Sequence, residues 1–239
     1  MIAGDEDGDC RLDGAGGIWM IDLAEVGKTS ALIDEELKGQ LAGIFAKMET
    51  PVVMKAVVAP EREKDAELAA FLNVIQAVGD KLSLELYEPG EAAAVVPELN
   101  VDYLPVTGLY RDGQYGRVAF HGVPGGEEIN SFVLALYNLA GPGQEVPGRL
   151  KKKIEKLKKT ANLKVCVSLA CHHCPKVVAA CQQIAILNPG IEAEMIDASL
   201  YPDLVEQYDI QRVPMVIIDD KDIYMGSKTI EEIVNLLKY

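Results

Sequence analysis

Apolar residues recur along this chain in two rhythms, and the rhythms predict its elements. Leu32, Ile33, Leu37, Leu41, Ile44 and Phe45 fall at helical spacing, predicting a helix over 29–48 with Thr29 or Ser30 as its N-cap. Pro51 then introduces a β-branched run at 52–58, which reads as a strand. Leu68, Phe71, Leu72, Ile75 and Val78 predict a helix over 61–78, and alternation at 82–87 predicts a second strand. A short helix at 91–99 follows, then strands at 104–110 and 117–121 across a Gly-containing turn, then an amphipathic helix at 127–139.

Gly141-Pro142-Gly143-Gln144-Glu145-Val146-Pro147-Gly148 breaks the pattern. Beyond it the order starts again: a basic helix at 149–159, a strand at 163–169, a helix at 174–187, a strand at 191–196 and a helix at 202–208. Strands at 215–219 and 222–225 and a helix at 229–238 complete it. Both halves read helix, strand, helix, strand, short helix, proline, strand, strand, helix. The expected fold class is α/β, with two tandem domains, each a central mixed β-sheet flanked by helices. The expected division is a flexible acidic leader at 1–17, a first domain at 18–141, a linker at 142–148 and a second domain at 149–239.

Composition narrows the function. Of the 239 residues 49% are apolar, enough for a substantial core, and the net charge is −14. That balance argues against nucleic acid as a partner, because nucleic-acid binders present a basic footprint. It biases the protein towards partners with basic surfaces. No apolar run is long enough to span a membrane, and the N-terminus lacks the basic-then-apolar order of a secretory signal. Five cysteines do not make a disulfide-stapled secreted scaffold. The expected setting is cytoplasmic, where an isolated Cys-x-x-Cys reads as catalytic.

The chemistry concentrates at Cys171-His172-His173-Cys174-Pro175. The pair follows an apolar strand and opens a helical pattern, and Val213-Pro214 leads into a later strand. That layout is a thioredoxin-like redox site, so both domains are expected to be thioredoxin-like. Unpaired N–H groups and the positive end of the dipole at the helix start favour a thiolate at Cys171, and His172 and His173 add positive charge when protonated. Cys171 is expected to be the exposed nucleophile and Cys174, on the same helix face, the resolving thiol. Pro175 suits a first helical turn. Pro214 is expected to be cis and to pack against the dithiol, with the Val213 backbone free to pair with a substrate peptide. In the first half the matching junction, Ala59-Pro60-Glu61-Arg62-Glu63-Lys64, has no cysteine, while Leu104-Pro105 matches Val213-Pro214. The first domain is therefore expected to be redox-dead.

Other readings of the same residues are weaker. Cys166 and Cys181 read first as buried small hydrophobes and only second as regulatory thiols. Cys10 reads as an exposed thiol without a role. Four near-consecutive Cys and His residues cannot all ligate one tetrahedral ion, and no second ligand pair exists beside the remaining His121, so no metal site is expected. Capture of Cu(I) by the two thiols is a minor alternative. The acidic residues between Asp5 and Asp13 imitate a calcium loop, but Cys10 and Gly16 occupy positions that need glycine and glutamate.

The chain resembles the N-terminal domain of the flavoprotein subunit of alkyl hydroperoxide reductase. The resemblance rests on Val167 to Val178 around the dithiol, Ile186-Leu187-Asn188-Pro189, Met195-Ile196-Asp197 and Val213-Pro214. In the first half it rests on Gly122-Val123-Pro124-Gly125-Gly126-Glu127-Glu128-Ile129 and on Ser131 to Leu136. It covers roughly residues 28–239. It implies two fused thioredoxin folds with one active dithiol, passing electrons from a thioredoxin-reductase-like flavoprotein to a peroxiredoxin. It implies no tightly bound cofactor beyond the redox-active disulfide Cys171–Cys174. His173 stands where the family usually has asparagine. The chain stops at Tyr239 with no Gly-x-Gly-x-x-Gly flavin module, so the expectation is a stand-alone carrier served by a separate reductase. It is also similar to the two-fold protein disulfide oxidoreductases of archaea and thermophiles. The expected function is a protein-disulfide reductase acting on a peroxiredoxin or another disulfide protein. A glutathione-dependent glutaredoxin and a non-enzymatic thiol metal-binding or adaptor module are the alternatives.

Overall fold

A computed structural model describes residues 20–238. The acidic leader, its calcium-loop-like pattern and Cys10 lie outside the described residues. The first unit runs α1 (Glu35–Phe45), β1 (Val52–Val57), α2 (Glu63–Val78), β2 (Leu82–Tyr87), α3 (Ala92–Val95), β3 (Val106–Arg111), β4 (Gln114–His121) and α4 (Ile129–Ala140). The second repeats that order with α5 (Gly148–Glu155), β5 (Ala161–Val167), α6 (Cys174–Leu187), β6 (Ile191–Asp197), α7 (Pro202–Gln207), β7 (Met215–Ile218), β8 (Asp222–Met225) and α8 (Ile230–Leu236).

The two units share one sheet. Strands run β2-β1-β3-β4 in the first and β6-β5-β7-β8 in the second, and β4 pairs in parallel with β6 to make eight strands. Within each unit the first two strands are parallel and the last two antiparallel to their neighbours, so the pairing pattern repeats along with the element order. Alternation sets the faces, because successive side chains point to opposite sides of a strand. Met54, Leu84, Val118, Phe120, Leu163, Val165, Ala193 and Met195 face the main core with apolar residues of α1, α2, α4, α6 and α8. The opposite face carries two smaller clusters, one under α3 around Val57, Val96 and Val106, the other under α7 around Cys166, Ile196 and Met215. Phe132 of α4 meets Phe71 and Phe120 edge-on at centroid distances of 5.5 and 5.0 Å, the favoured geometry for aromatic rings.

A polar junction crosses the shared strands. His121, fully buried at the end of β4, places Nδ1 2.7 Å from the Tyr103 carbonyl and Nε2 2.7 Å from the Glu194 carboxylate of β6. Asn162 of β5 donates to the same carboxylate at 2.5 Å. Burial pushes the Glu194 carboxyl up, but these donors and the nearby Lys164 outweigh it and hold it below the usual carboxylate range.

Three helices depart furthest from the sequence expectation, each within its own segment, while the others shift by at most two residues at their ends. The helix expected over 29–48 starts at Glu35, because Asp34 rather than Thr29 or Ser30 caps it: its side chain accepts the Leu37 N–H at 2.8 Å. Ser30 is spent in a turn, where its carbonyl accepts the Ile33 N–H and its hydroxyl the Leu32 N–H. The helix expected over 149–159 stops at Glu155, where the buried Asn188 amide donates to the Ile154 and Leu157 carbonyls at 2.6 and 3.1 Å. The helix expected over 91–99 is only Ala92–Val95.

Candidate functional site

The dithiol lies where β5 hands over to α6. β5 ends at Val167, and residues 168–173 turn before the helix begins at Cys174. The Cys171 N–H donates to the Ser168 carbonyl at 2.9 Å, and the Cys174 N–H to the Cys171 carbonyl at 3.2 Å. Cys171 therefore precedes the helix instead of sharing its face, and His173 is the N-cap residue. Pro175 lies in the first helical turn, where its missing N–H leaves nothing unpaired.

Cys171 and Cys174 form a disulfide with 5.5 Å between Cα atoms, within normal disulfide reach. The two sulfurs differ in access. Cys174 is completely buried, while Cys171 is half-buried. The Val213 carbonyl oxygen lies 3.9 Å from Cys171 Sγ, and the Val213–Pro214 peptide is cis. His172 and His173 are both exposed. The structure thus brings Cys171, Cys174, His172, His173, Pro175, Val213 and Pro214 to one end of the sheet.

The first unit contributes to this site although its own junction, Ala59 to Lys64, has no thiol. Its matching Leu104–Pro105 peptide is also cis. After β4 the chain makes a one-turn helix at Gly126–Glu128 that packs against the start of α6. The Glu127 N–H donates to the Leu169 carbonyl at 3.0 Å, and its carboxylate lies 2.7 Å from His172 Nδ1. Gly126 has φ +56°, and a Cβ there would stand 2.4 Å from the Leu169 carbonyl oxygen, so this approach requires glycine. Glu128, next to it, is fully buried. Burial pushes its carboxyl up to about 7 against the Ser131 hydroxyl bond, which lowers it, and Asp197 and Glu127 add to the rise. One of its oxygens, Oε1, has no hydrogen-bond partner. Sequence reasoning misses Glu127 and Glu128 as site residues. The signal that could find them is the Gly125-Gly126 pair before two acids, a backbone able to approach another loop closely.

The remaining described cysteines stand apart. Cys166 is buried under α7 and Cys181 in the main core, and burial pushes both thiols up to about 12. Neither supplies a thiolate at neutral pH. Among the described residues no group of three or more His, Cys, Asp or Glu side chains is arranged to hold a metal ion. No helix there is long and apolar enough to cross a membrane. What the site holds is a reversible two-electron couple with one sulfur open to a partner and one enclosed.

Comparison with known proteins agrees with this geometry. A family model described as a thioredoxin domain matches residues 161–238, the unit that carries the dithiol. An NADH dehydrogenase of Bacillus subtilis is 30% identical over 203 residues, covering 85% of this chain but only 37% of that relative. The chain thus spans little more than a third of such curated relatives. A protein disulfide oxidoreductase from Aeropyrum pernix shares the tandem fold at TM-score 0.77 and 21% identity, covering 91% of this chain and 93% of that one. The NTD_N/C domain of alkylhydroperoxide reductase AhpF from Enterococcus faecalis superposes at TM-score 0.81 with 39% identity, covering 86% of this chain and 99% of that domain. With two thioredoxin-like units in one sheet, one dithiol between them and that degree of identity over a whole domain, the chain belongs to the AhpF family of alkyl hydroperoxide reductases and corresponds to its N-terminal domain.

Proposed function

We propose that the chain is a thiol–disulfide oxidoreductase that carries electron pairs from a thioredoxin-reductase-like flavin module to a peroxiredoxin or a similar protein disulfide, in the cytoplasm. The observation that carries this reading is the unequal access of the two sulfurs, half-buried Cys171 against fully buried Cys174. In the reduced protein the Cys171 thiolate attacks a partner disulfide, forming a mixed disulfide and releasing one partner thiolate. Cys174 then gives up its proton and attacks Cys171 Sγ, closing Cys171–Cys174 and releasing the second partner sulfur. Two electrons pass to the partner, with one proton from Cys174 and the second from solvent, and the flavin module then supplies two electrons that reopen Cys171–Cys174.

The surrounding residues fit this sequence. The start of α6 presents free N–H groups and the positive end of its dipole to a thiolate that forms nearby. His172 and His173 supply positive charge when protonated. The Val213 carbonyl beside Cys171, followed by cis Pro214, supports a role for this backbone in lining up an extended partner segment. Pro175 lies in the first turn of α6, the helix that Cys174 opens.

The test is reconstitution. With NADH or NADPH, a flavin-dependent reductase of this family and an oxidised peroxiredoxin, the chain should support peroxide-dependent nicotinamide oxidation. Cys171→Ser should abolish it. Equal turnover with the wild type and Cys171→Ser, or no turnover with any reductase tried, would overturn the proposal.

A further inference from the structure

The local charge around the dithiol is opposite to that of the molecule. The chain carries 37 acidic against 23 basic side chains, yet three exposed side chains near Cys171 in the fold are cationic or protonatable. His173 is the N-cap of α6 and Lys176 lies in its first turn. Arg212 immediately precedes Val213, whose carbonyl lies 3.9 Å from Cys171 Sγ. All three are exposed, and among the described residues none of them takes part in an ion pair or a side-chain hydrogen bond. Three of the neighbouring acids are otherwise engaged. Glu127 is held by His172, Asp209 by the Gln211 amide at 3.1 and 3.2 Å, and Glu128 is buried. The entry to α2, from Glu61 to Glu67, carries four acids against two bases; Arg62 pairs with Asp65 and Lys64 with Glu67, and Glu61 and Glu63 are left over.

A cationic rim left unpaired on an acidic protein is a recognition element, because its charges are not consumed in holding the fold. We propose that the rim formed by His173, Lys176 and Arg212 docks partners whose reacting disulfide is flanked by acidic residues. This rests on the proposed redox reading of Cys171 and Cys174, and it reverses, at the site, the bias towards basic partners that net charge alone suggests. At contact distance the rim outweighs the distant acids, since a charge more than about 10 Å away is largely screened at ordinary ionic strength. Long-range attraction to the bulk negative charge governs encounters in dilute salt and is damped as salt is added.

The test uses three synthetic peptides of equal length, each closed by one disulfide and flanked by Asp and Glu, by Lys, or by neutral residues. Each is mixed with the fully reduced chain, and peptide dithiol is measured as it forms while Cys171–Cys174 closes. At about 0.1 M salt, where the distant acids are screened, the acidic peptide should react about tenfold faster than the basic one, and the ratio should shrink as salt is raised towards about 1 M. Lys176→Glu combined with Arg212→Glu should invert the order. Equal rates for all three peptides, or a faster basic peptide, would overturn the docking proposal while leaving the redox reading intact. Reaction with none of them would remove the redox reading, and the docking proposal with it.

Discussion

Glu127, from the unit that has no dithiol, holds the ring of His172, inside the dithiol motif of the other unit, at 2.7 Å. The first unit is thus part of the site's wall and not only a spacer. The pair is open to water, with His172 81% and Glu127 35% exposed, so its contribution to stability is small. Glu127→Ala should leave unfolding free energy within about 1 kcal/mol of wild type, measured by urea titration. The backbone tie from the Glu127 N–H to Leu169 survives that substitution, and a larger loss would show that the side chain carries the contact.

Gly126 carries the closer part of that contact. Gly126→Ala forces a Cβ against the Leu169 carbonyl at a left-handed φ, so either the turn or the dithiol loop must move. A loss of about 2–3 kcal/mol and slower disulfide exchange are expected. Gly39 is the control: it lies inside α1 and an added Cβ would meet nothing within 4 Å, so Gly39→Ala should gain about 0.5–1 kcal/mol. Thermal unfolding of the two variants side by side separates backbone approach from helix propensity.

Glu128 gives the fold a pH signature. Its folded pKa is raised, to about 7 from 4.5, so the folded chain holds a proton there that the unfolded chain releases. Its contribution to stability is therefore full below about 4.5 and is lost as pH rises through about 7. A shift of that size corresponds to roughly 3 kcal/mol. Glu128→Gln should be more stable than wild type at about pH 8 and should lose the slope between about pH 5 and 7. Subtracting the two urea titration series isolates this group from Asp65 and Glu192, which burial also raises. Parallel curves would show that Glu128 is not the titrating group.

The seam between the units depends on His121 and Glu194. Removing the ring by His121→Ala leaves the Glu194 carboxylate buried with one donor fewer, and should cost about 3–5 kcal/mol. His121 is remote in chain order from Cys171 and is buried, so whatever protein remains folded should exchange disulfides at close to the wild-type rate. Urea unfolding together with the peptide assay reads both effects.

Local elements are legible in the chain; long-range partners are not. Period and flanking prolines mark β2, α6 and β8 with their observed bounds, because each is fixed by its own alternation or by an adjacent breaker. Sequence alone makes α1 too long because Thr29, Ser30 and Asp34 are all good caps, and only the folded turn shows that Asp34 is the one used. The pairing of β4 with β6 has no local signal, since each strand alternates the same way whether it is an edge or an internal strand. The dithiol residues can be read directly from their spacing. Glu127 and Glu128 cannot, because their role comes from a contact between residues far apart in the chain.

The most direct test of the account is trapping with Cys174→Ser. Mixed with an oxidised peroxiredoxin, this variant should accumulate a mixed disulfide that peptide mapping places on Cys171, and adding Cys171→Ser should abolish it. Buried Cys166 and Cys181 should carry none. No adduct on Cys171, or an adduct that maps to Cys166 or Cys181, would contradict the account.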